Sequence, residues 1–251
     1  MYKGRVLLRR EYNNFNAGFC IINKNLQEFI IDTNLLHPEE IEYYKTLRFE
    51  RRKLSYLLGR VSAKKAILEF LINEKNGQHI SIDFGVFKFP VVKYVKNQNV
   101  QVCISHCENV GVSLAFPEKH PLGIDIEKIS EDKIKTMKSI ISKEEQELIS
   151  KISLSISVGY TLIWTIKEAL SKILKTGLTV DFKLFEIKSL EKIDTKYITT
   201  FKYFTQYKST SSHVNNFVCS VVSPKETKCN FDHLWKALEN TINKGHIQQK
   251  I

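Results

Sequence analysis

No stretch of this chain is apolar over the ~18–20 residues that a bilayer-spanning helix needs. Behind the N-terminal charges of Lys3, Arg5, Arg9 and Arg10 there is no long apolar segment of the kind a secretory signal carries. A cytoplasmic protein is therefore the expectation. Cysteine is scarce. Cys20, Cys103, Cys107, Cys219 and Cys229 are odd in number and widely scattered, which argues against a disulfide framework. Cys103 and Cys107 bracket His106, but no second cysteine pair at zinc spacing exists, so buried reduced thiols are expected. Acids are outnumbered: 27 Asp and Glu face 38 Lys and Arg, a net charge of +11. That balance favours a polyanionic partner, whether nucleic acid, an anionic membrane, a phosphorylated ligand or an acidic protein, and does not choose among them.

What is present is enough apolar material, 43% of 251 residues, for one large domain or two small ones. Short strands are expected at 5–10 and 17–22. Pro38, followed by Glu39 and Glu40, opens a helix, because proline suits the first helical position and acids suit the positive end of the dipole. A basic run follows, with Lys45, Arg48, Arg51, Arg52, Lys53, Arg60, Lys64 and Lys65, over an apolar helical face at 52–72. It reads equally as a solvated basic face or as a phosphate-binding one. Strands are expected at 80–84, 86–89, 91–95 and 100–104, with a turn at 97–99, and then at 110–116 and 122–126. One helix is expected over 131–151 and another over about 158–175, with Gly177 as its C-cap. Strands follow near 181–188, 197–206 and 216–223. A last helix within 225–251 turns Phe231, Leu234, Trp235, Leu238 and Ile242 inward. A long helix thus precedes strands twice, which predicts an α+β chain of two similar halves, 1–120 and 121–224, with 225–251 as a helical tail.

The chemistry concentrates in the second half. Alternation along a strand points Asp125 and Glu127 to the same side. Two carboxylates that close repel unless a cation stands between them, and oxygen-only ligands suit magnesium. On the 158–175 helix, Ile163, Ile166, Leu170, Ile173 and Leu174 form one stripe, with Glu168 and Lys172 as neighbours on the opposite face. Taken alone, that couple is a solvated ion pair worth ~0.3–0.5 kcal/mol. Taken with Asp125 and Glu127, Glu168 is a third carboxylate, and Lys172 a cation for phosphate charge. Ser105-His106 ends a strand. No acid stands behind His106 and no glycine elbow surrounds Ser105, so a serine hydrolase is discounted in favour of hydrogen bonding to phosphate.

Three blocks in order now carry a resemblance: Ile104-Ser105-His106, then Gly123-Ile124-Asp125-Ile126-Glu127, then Trp164-x-x-Lys167-Glu168-x-x-x-Lys172 with Gly177-Leu178. Together they resemble the Sfp-type 4′-phosphopantetheinyl transferases across roughly residues 36–223. The resemblance implies two similar α/β halves related by a pseudo-two-fold, with the active site in the cleft between them. It implies magnesium-dependent transfer of the 4′-phosphopantetheine arm of coenzyme A to a serine of an acyl or peptidyl carrier protein, with release of 3′,5′-ADP. By position, Asp125, Glu127 and Glu168 match the metal ligands, and Asp125 also faces the bound coenzyme A. Glu168 is also the candidate base. Lys172 matches a phosphate-contacting catalytic lysine, and Lys88, Ser105 and His106 match coenzyme A contacts. Tyr43 stands where relatives carry a basic residue for the 3′-phosphate, leaving Lys45, Arg48, Arg51 or Arg52 to substitute, with Arg52 taken as the candidate. Cys103 replaces a common asparagine. With both halves in one chain, a monomer acting on an acidic carrier protein is expected. Rival readings are a non-catalytic basic protein that binds nucleic acid, which lacks an RNP-like strand or zinc spacing, and a degenerate coenzyme A-binding relative.

Overall fold

In the computed structural model, which describes residues 1–29, 32–72, 74, 76–96 and 99–248, Val6 and Leu8 are buried on one face of Tyr2–Arg9 (β1) while Arg5, Leu7 and Arg9 face outward. This is the period-two pattern of a half-buried strand. Asn14–Asn23 (β2) follows, then helices Pro38–Thr46 (α1) and Glu50–Phe70 (α2), the hairpin Ser81–Phe84 (β3) and Pro90–Lys93 (β4), and strands Val100–Cys107 (β5) and Val110–Pro117 (β6). Pro38 does open α1. The His37 ring accepts the Glu39 N–H at 3.3 Å and the Glu40 carboxylate accepts the His37 N–H at 2.9 Å, which closes a capping box. Leu57, Leu58, Val61 and Ile67 of α2 are buried in one core with Cys20 and Ile22 of β2 and Ala115 of β6. The strand expected at 86–89 is instead the turn of the β3–β4 hairpin. Lys88 adopts a left-handed φ of 60° and its N–H donates to the Gly85 carbonyl at 2.8 Å. Of the turn expected at 97–99, residues 97 and 98 lie outside the described residues.

The second stretch holds Gly123–Lys128 (β7), Ile134–Lys138 (α3), Lys143–Lys151 (α4), Ile156–Leu174 (α5), Ile187–Ile193 (β8), Lys196–Phe201 (β9), Tyr207–Val214 (β10) and Phe217–Pro224 (β11). The helix expected over 131–151 is broken at Ser142. The Ser142 hydroxyl accepts the Glu145 N–H at 3.2 Å and the Glu145 carboxylate accepts the Ser142 N–H at 2.9 Å. A capping box restarts the helix there. The left-handed residue that ends α5 is Lys175, at φ 55°; Gly177, at φ 56°, opens a short 3-10 turn beyond it. Phe182–Phe185 is another 3-10 turn rather than the start of a strand, so β8 begins only at Ile187. Lys228–Cys229 (β12) and Asp232–Gln248 (α6) complete the chain, with Phe231, Leu234, Trp235, Leu238 and Ile242 buried as α6 packs on β1 and β2.

These elements form two units, Met1–Pro121 with Lys228–Ile251, and Leu122–Thr227. The first has an antiparallel sheet in the order β12-β1-β2-β6-β5; the second has β7-β11-β10-β9-β8. The mixed helix-and-strand expectation holds. Each unit lays one long helix across two strands, α2 on β2 and β6, and α5 on β7 and β11. A Cβ at Gly18 of β2 would lie 2.0 Å from the Ala66 carbonyl, and a Cβ at Gly123 of β7 would lie 2.0 Å from the Ala169 carbonyl. Only glycine permits that approach of helix backbone to strand. None of the five cysteines is in a disulfide, and Cys20, Cys103 and Cys219 are buried. Among the described residues no single helix is long and apolar enough to cross a membrane.

Candidate active site

The close packing at Gly123 sets up the face between β7 and α5. Residues 123, 125 and 127 share one side of β7, so Asp125 and Glu127 look toward the helix that Gly123 admits. From α5, Lys172 donates from Nζ to Asp125 Oδ1 at 2.7 Å and to the Ile124 carbonyl at 3.1 Å. Lys133 donates from Nζ to Glu127 Oε2 at 2.7 Å. Asp125 is nearly buried, its side chain 6% exposed, whereas Lys133 keeps 48% of its side chain in solvent. Burial pushes the Glu168 carboxyl up to about 7; the charges on Asp125 and Glu127 add to the push and the Lys172 ammonium opposes it. The structure therefore brings Lys172 into contact with Asp125 and sets Glu168 within range of the charges of Asp125, Glu127 and Lys172. Lys172 is not merely half of a solvated pair, since its ammonium reaches back to the strand.

Among the described residues no three His, Cys, Asp or Glu side chains are gathered tightly enough to hold a metal ion. The two strand carboxylates carry ammonium groups instead. The donor set nonetheless suits a hard cation. It is all oxygen, cations already stand against Asp125 and Glu127, and Glu168, raised mainly by its burial, also feels the charges of both strand acids. A cation that keeps water and shares a ligand's oxygens, as magnesium does, needs no closed protein cage.

Sequence reasoning missed the role of Lys167. It is fully buried, and its Nζ donates to Glu145 Oε2 at 2.9 Å and to the Ile140 carbonyl at 2.9 Å. The other Glu145 oxygen accepts the Ile187 N–H at 2.9 Å. Burial lowers the Lys167 pKa and the Glu145 charge opposes that shift. The signal was legible: Lys167 lies four residues after Ile163 and three before Leu170, within the apolar stripe, where a lysine must find a partner. Trp164 stacks on Phe182 with ring centroids 5.6 Å apart at 16°, which ties the middle of α5 to the 3-10 turn Phe182–Phe185.

The first unit holds the remaining predicted residues. A cavity of about 280 Å³ is lined by Arg52, Lys88 and His106, with Tyr43, Tyr56 and Arg60 among its walls. Of the four basic residues left open by the sequence, Arg52 is the one that lines it. Arg60 is 5% exposed, its guanidinium 4.8 Å from the Tyr56 ring centre and 4.6 Å from that of Phe84. Its Nε lies 3.8 Å from Glu40 Oε1 and makes no hydrogen bond. Strand alternation puts Ser105, which is buried, on the face of β5 opposite Ile104 and His106, so Ser105 does not line this cavity. That separation also denies Ser105 and His106 the contact a nucleophile and base require.

Residues 121–222 match the family described as the 4′-phosphopantetheinyl transferase superfamily. No curated protein matches the chain. Similar solved structures include a holo-(acyl-carrier-protein) synthase from Bacillus anthracis str. Ames in complex with CoA (3′,5′-ADP), 20% identical, covering 44% of this chain and 96% of that one at a TM-score of 0.37. The Thermotoga maritima holo-[acyl-carrier-protein] synthase is 19% identical, covering 48% of this chain and 72% of its own at 0.34. The Helicobacter pylori holo-[acyl-carrier-protein] synthase in complex with coenzyme A is 23% identical, covering 41% of this chain and 99% of its own at 0.31. The family match falls on the unit that contains Asp125, Glu127, Glu168 and Lys172, and the resemblance read from the sequence stands at the level of that superfamily.

Proposed function

We propose that this chain is an Sfp-type 4′-phosphopantetheinyl transferase. It moves the phosphopantetheine arm of coenzyme A onto a serine hydroxyl of an acyl or peptidyl carrier protein and releases 3′,5′-ADP. The observation that carries the reading is the meeting of Asp125, Glu127, Glu168 and Lys172 across β7 and α5, inside the stretch that matches the superfamily.

Asp125, Glu127 and Glu168 are the residues that would hold magnesium, which when bound neutralises charge on the coenzyme A diphosphate. The chain's own groups do the rest. Glu168, with a carboxyl near 7, is suited to take the proton from the carrier serine, directly or through a water, because a base works best when its pKa lies near the operating pH. The serine oxygen bonds to the pantetheine-side phosphorus as the bond from that phosphorus to the bridging oxygen breaks. The electron pair leaves with 3′,5′-ADP. Lys172 opposes the negative charge that grows there. In the first unit, Arg52, Lys88 and His106 supply cations and donors for the nucleotide's phosphates, while Tyr43 and Tyr56 offer ring faces to its base. A chain of net charge +11 steers an acidic carrier toward itself. With both groups of residues in one chain, it works as a monomer.

The test is intact-mass spectrometry of apo carrier proteins after incubation with the chain, coenzyme A and magnesium. A gain equal to phosphopantetheine, dependent on both additions, is expected. Absence of any gain across fatty-acid, polyketide and peptidyl carriers overturns the reading.

A further inference from the structure

The carboxylates assigned to the metal are already partnered. Lys172 Nζ stands 2.7 Å from Asp125 Oδ1 and Lys133 Nζ stands 2.7 Å from Glu127 Oε2. The two lysines come from different elements: Lys172 from the last turn of α5, and Lys133 from the 3-10 turn Glu131–Lys133 ahead of α3. They reach neighbouring positions on one face of β7. An ammonium and a divalent ion compete for the same carboxylate lone pairs.

We infer that Lys133 and Lys172 are exchangeable counter-ions of Asp125 and Glu127, so that metal entry requires their departure and the two ion pairs, Lys172–Asp125 above all, limit the affinity for the metal. This rests on the reading of Asp125 and Glu127 as metal ligands given above. The two exchanges differ in difficulty. Lys133 is half in solvent on a flexible stem, and its pair is of the weak, exposed kind. Lys172 keeps only 25% of its side chain exposed, is held also by the Ile124 carbonyl, and faces a nearly buried Asp125. Its displacement costs more unless an anionic ligand receives the freed ammonium. The metal alone therefore binds weakly, and a diphosphate on the same face strengthens it by giving Lys172 a new partner.

The experiment titrates Mn²⁺ alone into the full chain without coenzyme A, following free Mn²⁺ by electron paramagnetic resonance. The proteins are wild type, Lys133→Ala, Lys172→Met and Asp125→Asn, each checked by circular dichroism. Lys133→Ala is expected to tighten Mn²⁺ binding about 2–5-fold, the range of an exposed ion pair. Lys172→Met is expected to tighten it about tenfold or more, because the pair it breaks is less screened. Asp125→Asn should weaken it. Adding inorganic diphosphate should tighten binding in wild type more than in Lys172→Met. Binding that Asp125→Asn weakens but neither lysine substitution tightens overturns the exchange and leaves the metal reading standing. Binding indifferent to Asp125→Asn, or absent from wild type and both lysine variants, overturns the metal reading and the exchange with it.

Discussion

The two units place a long helix against a sheet by the same means and then diverge within one helical turn. In each, a strand glycine lets a helix carbonyl approach: Gly18 under Ala66 in the first, Gly123 under Ala169 in the second. In each, a hydroxyl pair ties helix to sheet, Ser62 to Ser113 at 2.6 Å and Thr165 to Ser220 at 2.7 Å. In each, a buried lysine of the long helix pins the glutamate of a capping box, Lys64 to Glu40 at 2.6 Å and Lys167 to Glu145 at 2.9 Å. That glutamate accepts a strand N–H from Ile82 or from Ile187, both at 2.9 Å. Two and four residues beyond the glycine, however, the second unit has Asp125 and Glu127 where the first has Cys20 and Ile22. Beside the helix alanine it has Glu168 and Lys172 where the first has Lys65 and Glu69. Burial pushes the Cys20 thiol up to about 12, so that position stays neutral. The scaffold is repeated and the chemistry is not; four side chains make the difference.

The comparison is broken most directly by removing those side chains. Asp125→Ala and Glu127→Ala are expected to abolish carrier modification while circular dichroism and thermal unfolding stay near wild type. Cys20→Ala, the matching change in the first unit, should leave turnover largely intact. Wild-type rates in either acid variant at limiting magnesium would leave that acid no role beyond its ion pair with Lys172 or Lys133.

Lys172→Ala comes next. An interaction that strengthens in the transition state appears in kcat more than in binding. The loss expected is on the order of 10²-fold in kcat with a smaller change in coenzyme A affinity. Equal losses in both would recast Lys172 as a ground-state contact.

The shared scaffold predicts a shared penalty. Lys64→Ala and Lys167→Ala each take the lysine from a buried glutamate, which costs roughly 3–5 kcal/mol where no other cation among the described residues stands by, as at Glu145, and less at Glu40, which keeps Arg60 at 3.8 Å. Burial lowers the pKa of both lysines while the paired glutamate opposes that shift. Chemical denaturation of the two variants measures whether the units are equally dependent on their pins. A loss in one unit only would end the parallel.

How much of this was legible in the sequence depended on whether a residue's partner was near it in the chain. The helix-opening proline Pro38, the inward face of α6 and the Asp125–Glu127 alternation are local, and all three read correctly. The hairpin turn at 85–89 did not, because Val86, Phe87 and Phe89 look like strand residues. It is the left-handed Lys88 and the Gly85–Phe89 hydrogen bond that close the turn. The helix expected over 131–151 ends at Lys138 and restarts at Ser142 through a capping box that the apolar spacing around it concealed. Lys167 and Glu145 are 22 residues apart, so their pairing exists only once α4 and α5 pack. Lys133 went unremarked although Glu127 is only six residues away, because the pair forms through the turn that leaves β7, which no periodic spacing announces.

A smaller effect concerns pH. Glu168 has its carboxyl raised from 4.5 to about 7 in the folded chain, so the folded state holds that proton more tightly than the unfolded state does. Its contribution is fully present below the unfolded value and is lost as pH rises through about 7. Without divalent cation, thermal stability should therefore decline across that window, and Glu168→Gln should flatten the decline. A wild-type profile already flat there would contradict the raised carboxyl that burial gives Glu168.

The most direct test of the central claim is turnover of Glu168→Gln at saturating coenzyme A across a full range of magnesium, read by intact mass of the carrier protein. The amide keeps the shape of the side chain and gives up its charge and its basicity. The account predicts no conversion at any magnesium concentration in a protein that folds as well as wild type. Conversion at the wild-type rate would contradict it and leave α5 as scaffolding alone.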